Sequence, residues 1–170
     1  MSAAVDRVII RPARTADVRA IRDLVDIYSP DGRLLSKATV TLFEAVPEFL
    51  VAELDGQVIG CGALHVMWED LAEVRTVAVD QEHVGQGFGS VLLVALMNRA
   101  REVGVKRVFC LTFRVEFFGR HGFVEIDDTP IDHDVYEALL QSYDEGVAEF
   151  LGLERVKPNT LGNHRMLAVL

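Results

Sequence analysis

Positive charge is scarce in this chain. Its 17 Lys and Arg are outnumbered by 26 Asp and Glu, for a formal net charge of −9. A surface that must neutralise phosphates needs the opposite balance, so nucleic acid and anionic membranes are poor partners. Cysteine is scarcer still. Cys61 and Cys110 each lie inside an apolar run, which reads as two reduced core thiols rather than a disulfide and suits the cytoplasm. His65, His83, His121, His133 and His164 show no metal-ligand spacing, so no metal is expected. The chain lacks an apolar run long enough to cross a bilayer and a signal-peptide core at its start. It also lacks repeats, low-complexity tracts and a linker-like stretch.

What is present suits a single globular domain over residues 1–170. Half the residues are apolar and a quarter charged, enough for a substantial core. Val8–Arg11 reads as a first strand ended by Pro12. Thr15 can cap a helix with Val18, Ile21, Leu24, Val25 and Tyr28 on one face, broken at Ser29-Pro30-Asp31-Gly32. A short helix is expected over Ala38–Val46, closed by Pro47. Phe49–Leu54 and Gln57–His65 form a hairpin around Asp55-Gly56, and Met67–Leu71 a loop. The pattern then gives strands at Glu73–Val79, Val105–Thr112, Val124–Ile126 and Arg165–Val169, with a helix capped by Asp132 running toward Tyr143. The predicted class is mixed α/β, a central sheet flanked by helices on both faces.

Its organising stretch is Ala72–Val103. A β-branched strand leads into Gly85, Gly87 and Gly89, and then into a helix carrying Val91, Leu92, Ala95, Leu96 and Ala100 on one side. Glycines permit unusual φ values. The unpaired N–H groups of a helix's first turn, with the positive end of its dipole, favour an anion such as a pyrophosphate. Two known fingerprints do not fit. Gly85-Gln86-Gly87-Phe88-Gly89 has the wrong spacing for a dinucleotide loop, and no Gly-Lys-Ser/Thr follows. A tight strand-to-helix turn would use the same glycines, so both readings stay open on these residues alone.

The run VAVDQEHVGQGFGSVLL, followed by RVFCLT and FFGRHGF, resembles the GNAT superfamily of acyl-CoA-dependent N-acetyltransferases. The resemblance implies that acetyl-CoA is held by backbone groups of Val77, Ala78 and Val79 along its pantetheine arm. Its pyrophosphate falls to Val84, Gly85, Gln86, Gly87, Phe88 and Gly89. Val84 stands where the family carries Arg or Gln, which removes one side-chain contact and leaves the backbone cradle. Adding LFEAVPEFLVAELDGQVIGCGALHV and AEVRTVAVD, the match narrows to the N-acetylglutamate synthases, in their short form made of the acetyltransferase domain alone. This implies transfer of acetyl to the α-amino group of L-glutamate, the entry step to arginine synthesis. For assembly it implies a homodimer.

Roles follow from that chemistry. The ammonium of the substrate must lose a proton before its nitrogen attacks the thioester. Glu73 matches the family's proposed base; a strand-end Glu is its plainer reading. Backbone N–H groups around Thr76 and Val77 would meet the oxyanion. Many relatives place a Tyr where Phe118 stands, and Phe118, beside the acyl carrier, cannot donate a proton. Thr112 occupies the position of a hydroxyl residue in the narrower family, although a β-former ending a strand reads the same way. Glutamate brings two carboxylates, which call for cations and polar donors. Lys37, Arg75, Lys157, Asn163 and Arg165 are the candidates, each also readable as a solvated or ion-paired surface group. Trp68 and Phe117 read as core or pocket wall. Rival readings are a GNAT enzyme acetylating another small amine and a non-catalytic acyl-CoA-sensing module.

Overall fold

The computed structural model describes residues 5–30, 34, 37–153 and 162–170; Asp31, Gly32 and Lys157 fall outside them. Among the described residues seven strands form one mixed sheet. They are β1 (Ile9–Pro12), β2 (Phe49–Leu54), β3 (Gln57–Trp68), β4 (Leu71–Val79), β5 (Arg107–Thr112), β6 (Val124–Glu125) and β7 (His164–Val169). Their order is β1-β2-β3-β4-β5-β7-β6. Among the described residues six α-helices accompany them: α1 (Val18–Tyr28), α2 (Thr39–Glu44), α3 (Phe88–Glu102), α4 (Val115–Gly119), α5 (His133–Leu139) and α6 (Glu145–Phe150). The chain divides into two compact units. One comprises residues 1–64 and 74–99, the other 65–73 and 100–170.

In the first unit, β1, β2 and β3 pair antiparallel, Ile9 opposite Glu53 and Phe49 opposite Ala63. α1 presents Val18, Ile21, Leu24 and Val25 to a core shared with Leu42, Phe49, Val51, Cys61 and Ala78, the i, i+3, i+7 stripe of an amphipathic helix. Leu96 of α3 packs over Gly62, where a Cβ would come 2.7 Å from its Cδ1. Thr15 does not cap α1. Thr15–Asp17 form a 3₁₀ turn, and Asp17 takes the organising role by accepting from Arg14 N–H at 2.7 Å and from Arg11 at 2.8 and 3.0 Å. The Arg11 guanidinium holds the Asp17 carboxyl below its usual range. Pro47 does not close a helix either. It sits inside a separate 3₁₀ turn, Val46–Glu48, because its missing N–H is harmless in a first turn.

In the second unit, the start of β4 runs parallel to β5, with Leu71, Ala72 and Glu73 opposite Arg107, Val108 and Phe109. β7 lies antiparallel to both β5 and β6. Its core gathers Met67, Leu71, Phe109, Leu139, Val147, Phe150, Leu151 and Leu167. The expected Met67–Leu71 loop is instead strand on both sides of a two-residue turn at Glu69-Asp70. Asp70 holds that turn by accepting from Arg107 at 3.0 Å, so a long-range ion pair overrides the local pattern. α5 stops at Leu139 rather than continuing to Tyr143. The chain turns and starts again as α6, with Asp144 as N-cap accepting from Val147 N–H at 3.1 Å. Both cysteines are free and buried. Burial pushes the Cys61 thiol up to about 12, which leaves it without a thiolate at neutral pH.

Candidate functional site

The first unit carries the glycine loop. After β4, Asp80 accepts from Glu82 N–H at 2.9 Å and starts a 3₁₀ turn over Gln81–His83. His83 then meets Phe88 edge-on, ring centroids 5.7 Å apart. Gly85 and Gly87 have φ of +81° and +101°, conformations that L side chains rarely adopt. Gly87 also accepts through its carbonyl from Ser90 and Val91 N–H at 3.0 and 3.2 Å, closing the first turn of α3. The Phe88 side chain is buried with Val5, Ala52, Leu54 and Ile59. Only its backbone can face a ligand. Val84 is exposed, while Gln86 donates to the Glu82 carbonyl at 2.9 Å. The amides at the start of this 15-residue helix have no carbonyl one turn back within it. The arrangement fits a diphosphate bound by main chain rather than by cations.

Within β4, Thr76 has φ of +58°. A β-branched residue in left-handed backbone is an outlier. Thr76 is buried, and its carbonyl accepts from the Cys61 thiol at 3.6 Å. Ala78 lies in the core, Val77 is half-buried, and the Val79 carbonyl is met by the Tyr28 hydroxyl. Two of the basic candidates sit in this unit. Arg75 pairs with Glu48 at 3.1 Å, and Lys37 accepts through its carbonyl from Arg22 at 3.0 Å.

The second unit holds Glu73, only 4% exposed and opposite Phe109 in the parallel register. Its charge joins burial in raising the Cys110 thiol. The carboxylate lies against Gly146, where a Cβ would come 2.1 Å from Glu73 Oε2. Asp144, two residues earlier, lies 3.6 Å from His65 Nε2 through Oδ2. Thr112 ends β5, buried, and its Oγ1 accepts from Arg114 N–H at 2.8 Å. The proton of that hydroxyl is what it has to give. Phe118 is buried edge-on between Phe117 and Phe123. Arg165 donates to the carbonyls of Asp127 and Phe150, and its guanidinium lies 5.8 Å from the Phe109 ring. Asn163 immediately precedes β7, and Lys157 lies outside the described residues.

Sequence reasoning did not single out Gly146, which lies against Glu73, or Asp144, which lies beside His65. A signal existed: Asp144 followed at the third residue by Val147, then Ala148, Phe150 and Leu151, is a capped amphipathic turn. Among the described residues no group of His, Cys, Asp or Glu could hold a metal ion, and no helix is long and apolar enough to cross a membrane.

The chain is similar to several known proteins. The profile described as the acetyltransferase (GNAT) family matches residues 19–123. An amino-acid acetyltransferase of Mycobacterium tuberculosis is 56% identical over 168 residues, which cover 96% of this chain and 95% of that protein. A crystal structure from the same organism, in complex with CoA and NLQ, superposes with a TM-score of 0.91 at 56% identity. It spans 95% of this chain and 99% of that one. N-acetylglutamate synthase from Neisseria gonorrhoeae, complexed with coenzyme A and N-acetyl-glutamate, superposes with a TM-score of 0.78 at 25% identity. That match covers 96% of this chain and 35% of the larger protein.

Proposed function

The chain belongs to the acetyltransferase (GNAT) family, and from that premise we propose that it transfers acetyl from acetyl-CoA to the α-amino group of L-glutamate, the entry step of arginine biosynthesis, with residues 1–170 acting as one acetyltransferase domain. The observation that carries the chemistry is the pairing, along one short stretch, of a left-handed Thr76 with positive-φ glycines at 85 and 87. A strand held in left-handed backbone at one residue, followed by a glycine loop that leads into a helix, suits a thioester and a diphosphate. The similarity to an amino-acid acetyltransferase over nearly its whole length supports an amino acid as acceptor.

In this reading Glu73 takes a proton from the substrate ammonium, directly or through a water. The freed nitrogen forms a bond to the thioester carbonyl carbon, and the electron pair moved onto oxygen is met by main-chain N–H groups around Thr76 and Val77. Collapse breaks the C–S bond, and the proton still carried by the acylated nitrogen passes to the departing CoA thiolate, directly or through a water. An alkyl thiol's pKa near 8.5 makes that departure feasible without a strong acid, and the Thr112 hydroxyl supplies a hydrogen bond to it. Main-chain amides at residues 84–89 hold the diphosphate, with Val77, Ala78 and Val79 along the pantetheine arm and Phe118 as an apolar wall. Lys37, Arg75 and Lys157 serve the substrate carboxylates. Arg165 and Asn163 shape the approach to β7.

The test is turnover of acetyl-CoA across a panel of amino acids and polyamines, read as thiol release. Glutamate is expected to give the highest kcat/KM. Preference for a polyamine or another amine would overturn the substrate. Absence of turnover with every acceptor would overturn the enzyme reading in favour of a binding module.

A further inference from the structure

Gly146 occupies the second residue of α6, in ordinary helical backbone rather than the left-handed region. Nothing in its conformation calls for glycine, and alanine is the better helix former at such a position. The obstacle to a side chain is steric and specific. A Cβ there would lie 2.1 Å from Glu73 Oε2, 2.9 Å from Glu73 Cδ and 3.1 Å from Asp144 Oδ1. Real Cβ atoms do not approach carboxylate oxygens so closely, so one partner must move.

The helix is the less able to move. Val147, Ala148 and Phe150 are buried, and Phe150 stands edge-on to Phe109 with centroids 5.0 Å apart. Phe109 is itself the residue opposite Glu73 in the parallel pairing. Asp144 fixes the entry to the helix by accepting from Val147 N–H at 3.1 Å and donating its own N–H to Ser142 Oγ, also at 3.1 Å. Its other carboxylate oxygen lies beside His65. Glu73, by contrast, presents the end of a flexible side chain. A methyl group at position 146 would therefore displace the Glu73 carboxylate and leave the helix in place.

We propose that Gly146 is a positioning residue for Glu73: the absent side chain is the seat that fixes the carboxylate's height against α6. The inference rests on the assignment of Glu73 as the base. A base acts over hydrogen-bond distances, and a displacement on the order of 1 Å can cost about 100-fold in rate.

The experiment compares steady-state kinetics of Gly146→Ala, Glu73→Gln and the double variant with the best acceptor from the amino-acid panel, alongside thermal unfolding. Gly146→Ala is expected to lower kcat about tenfold or more, with the KM for acetyl-CoA within twofold and no loss in melting temperature. In the Glu73→Gln background the same change is expected to add nothing, because it acts only through the carboxylate. A Gly146→Ala variant with wild-type kcat beside a crippled Glu73→Gln overturns this inference alone. An equal further loss in the Glu73→Gln background also overturns it, since that is the mark of general structural damage. A fully active Glu73→Gln removes the base assignment and the positioning role with it.

Discussion

Replacing Glu73 with Gln is expected to lower kcat about 100- to 1,000-fold while leaving the KM for acetyl-CoA within about twofold. The variant preserves shape and volume, so a loss reports the missing basicity rather than a cavity. Glu73 is almost fully buried and sits opposite Phe109 beside the Cys110 thiol, whose pKa its charge helps to raise. A carboxylate held in such surroundings has given up solvation, which a purely structural surface residue would keep. With the base removed, the ammonium must deprotonate to bulk solvent. Residual activity should then climb more steeply with pH than that of the parent enzyme. Initial rates across pH with saturating substrates check both points, and an unchanged kcat would remove Glu73 from the chemistry.

Gly87→Ala is expected to raise the KM for acetyl-CoA about tenfold, equivalent to roughly 1.4 kcal/mol of lost binding, with a smaller change in kcat. Space is not the difficulty: a Cβ at 87 would find Val5 Cγ2 at 3.6 Å, an ordinary contact. The difficulty is φ of +101°, which costs a side-chain-bearing residue about 1–3 kcal/mol. Backbone rotation relieves that strain by turning the amides of the loop, and those amides are the proposed diphosphate ligands. Gly104→Ala is the matched control. It carries comparable strain, with φ of +93° and open space for a Cβ, but follows the far end of α3. It should lower the melting temperature and leave the KM alone.

Much of this was legible before any coordinates. β2 is read to the residue, Phe49–Leu54, because Asp55-Gly56 fixes the hairpin and alternation fixes the strand. The strand-loop-helix around Gly87 is equally plain, since glycine spacing, β-branched residues and an amphipathic stripe agree. What escaped depends on contacts distant in sequence. β3 extends to Trp68 and β4 starts at Leu71 because Asp70 finds Arg107. Arg75 meets Glu48 rather than remaining a solvated cation, a pairing no local pattern announces. Thr76 is the sharpest case. Its β-branched side chain argues for regular strand, yet the fold holds it at positive φ, a conformation that persists only where the surroundings over-determine it. Gly146 is illegible for a related reason: its meaning lies in a carboxylate 73 positions earlier in the chain.

Crystallising the protein with acetyl-CoA tests the central claim most directly. Diphosphate oxygens within hydrogen-bond distance of main-chain N–H groups in the segment from Val84 to Gly89 are the predicted result. A diphosphate bound elsewhere, with that loop's amides turned away or screened by side chains, would contradict it.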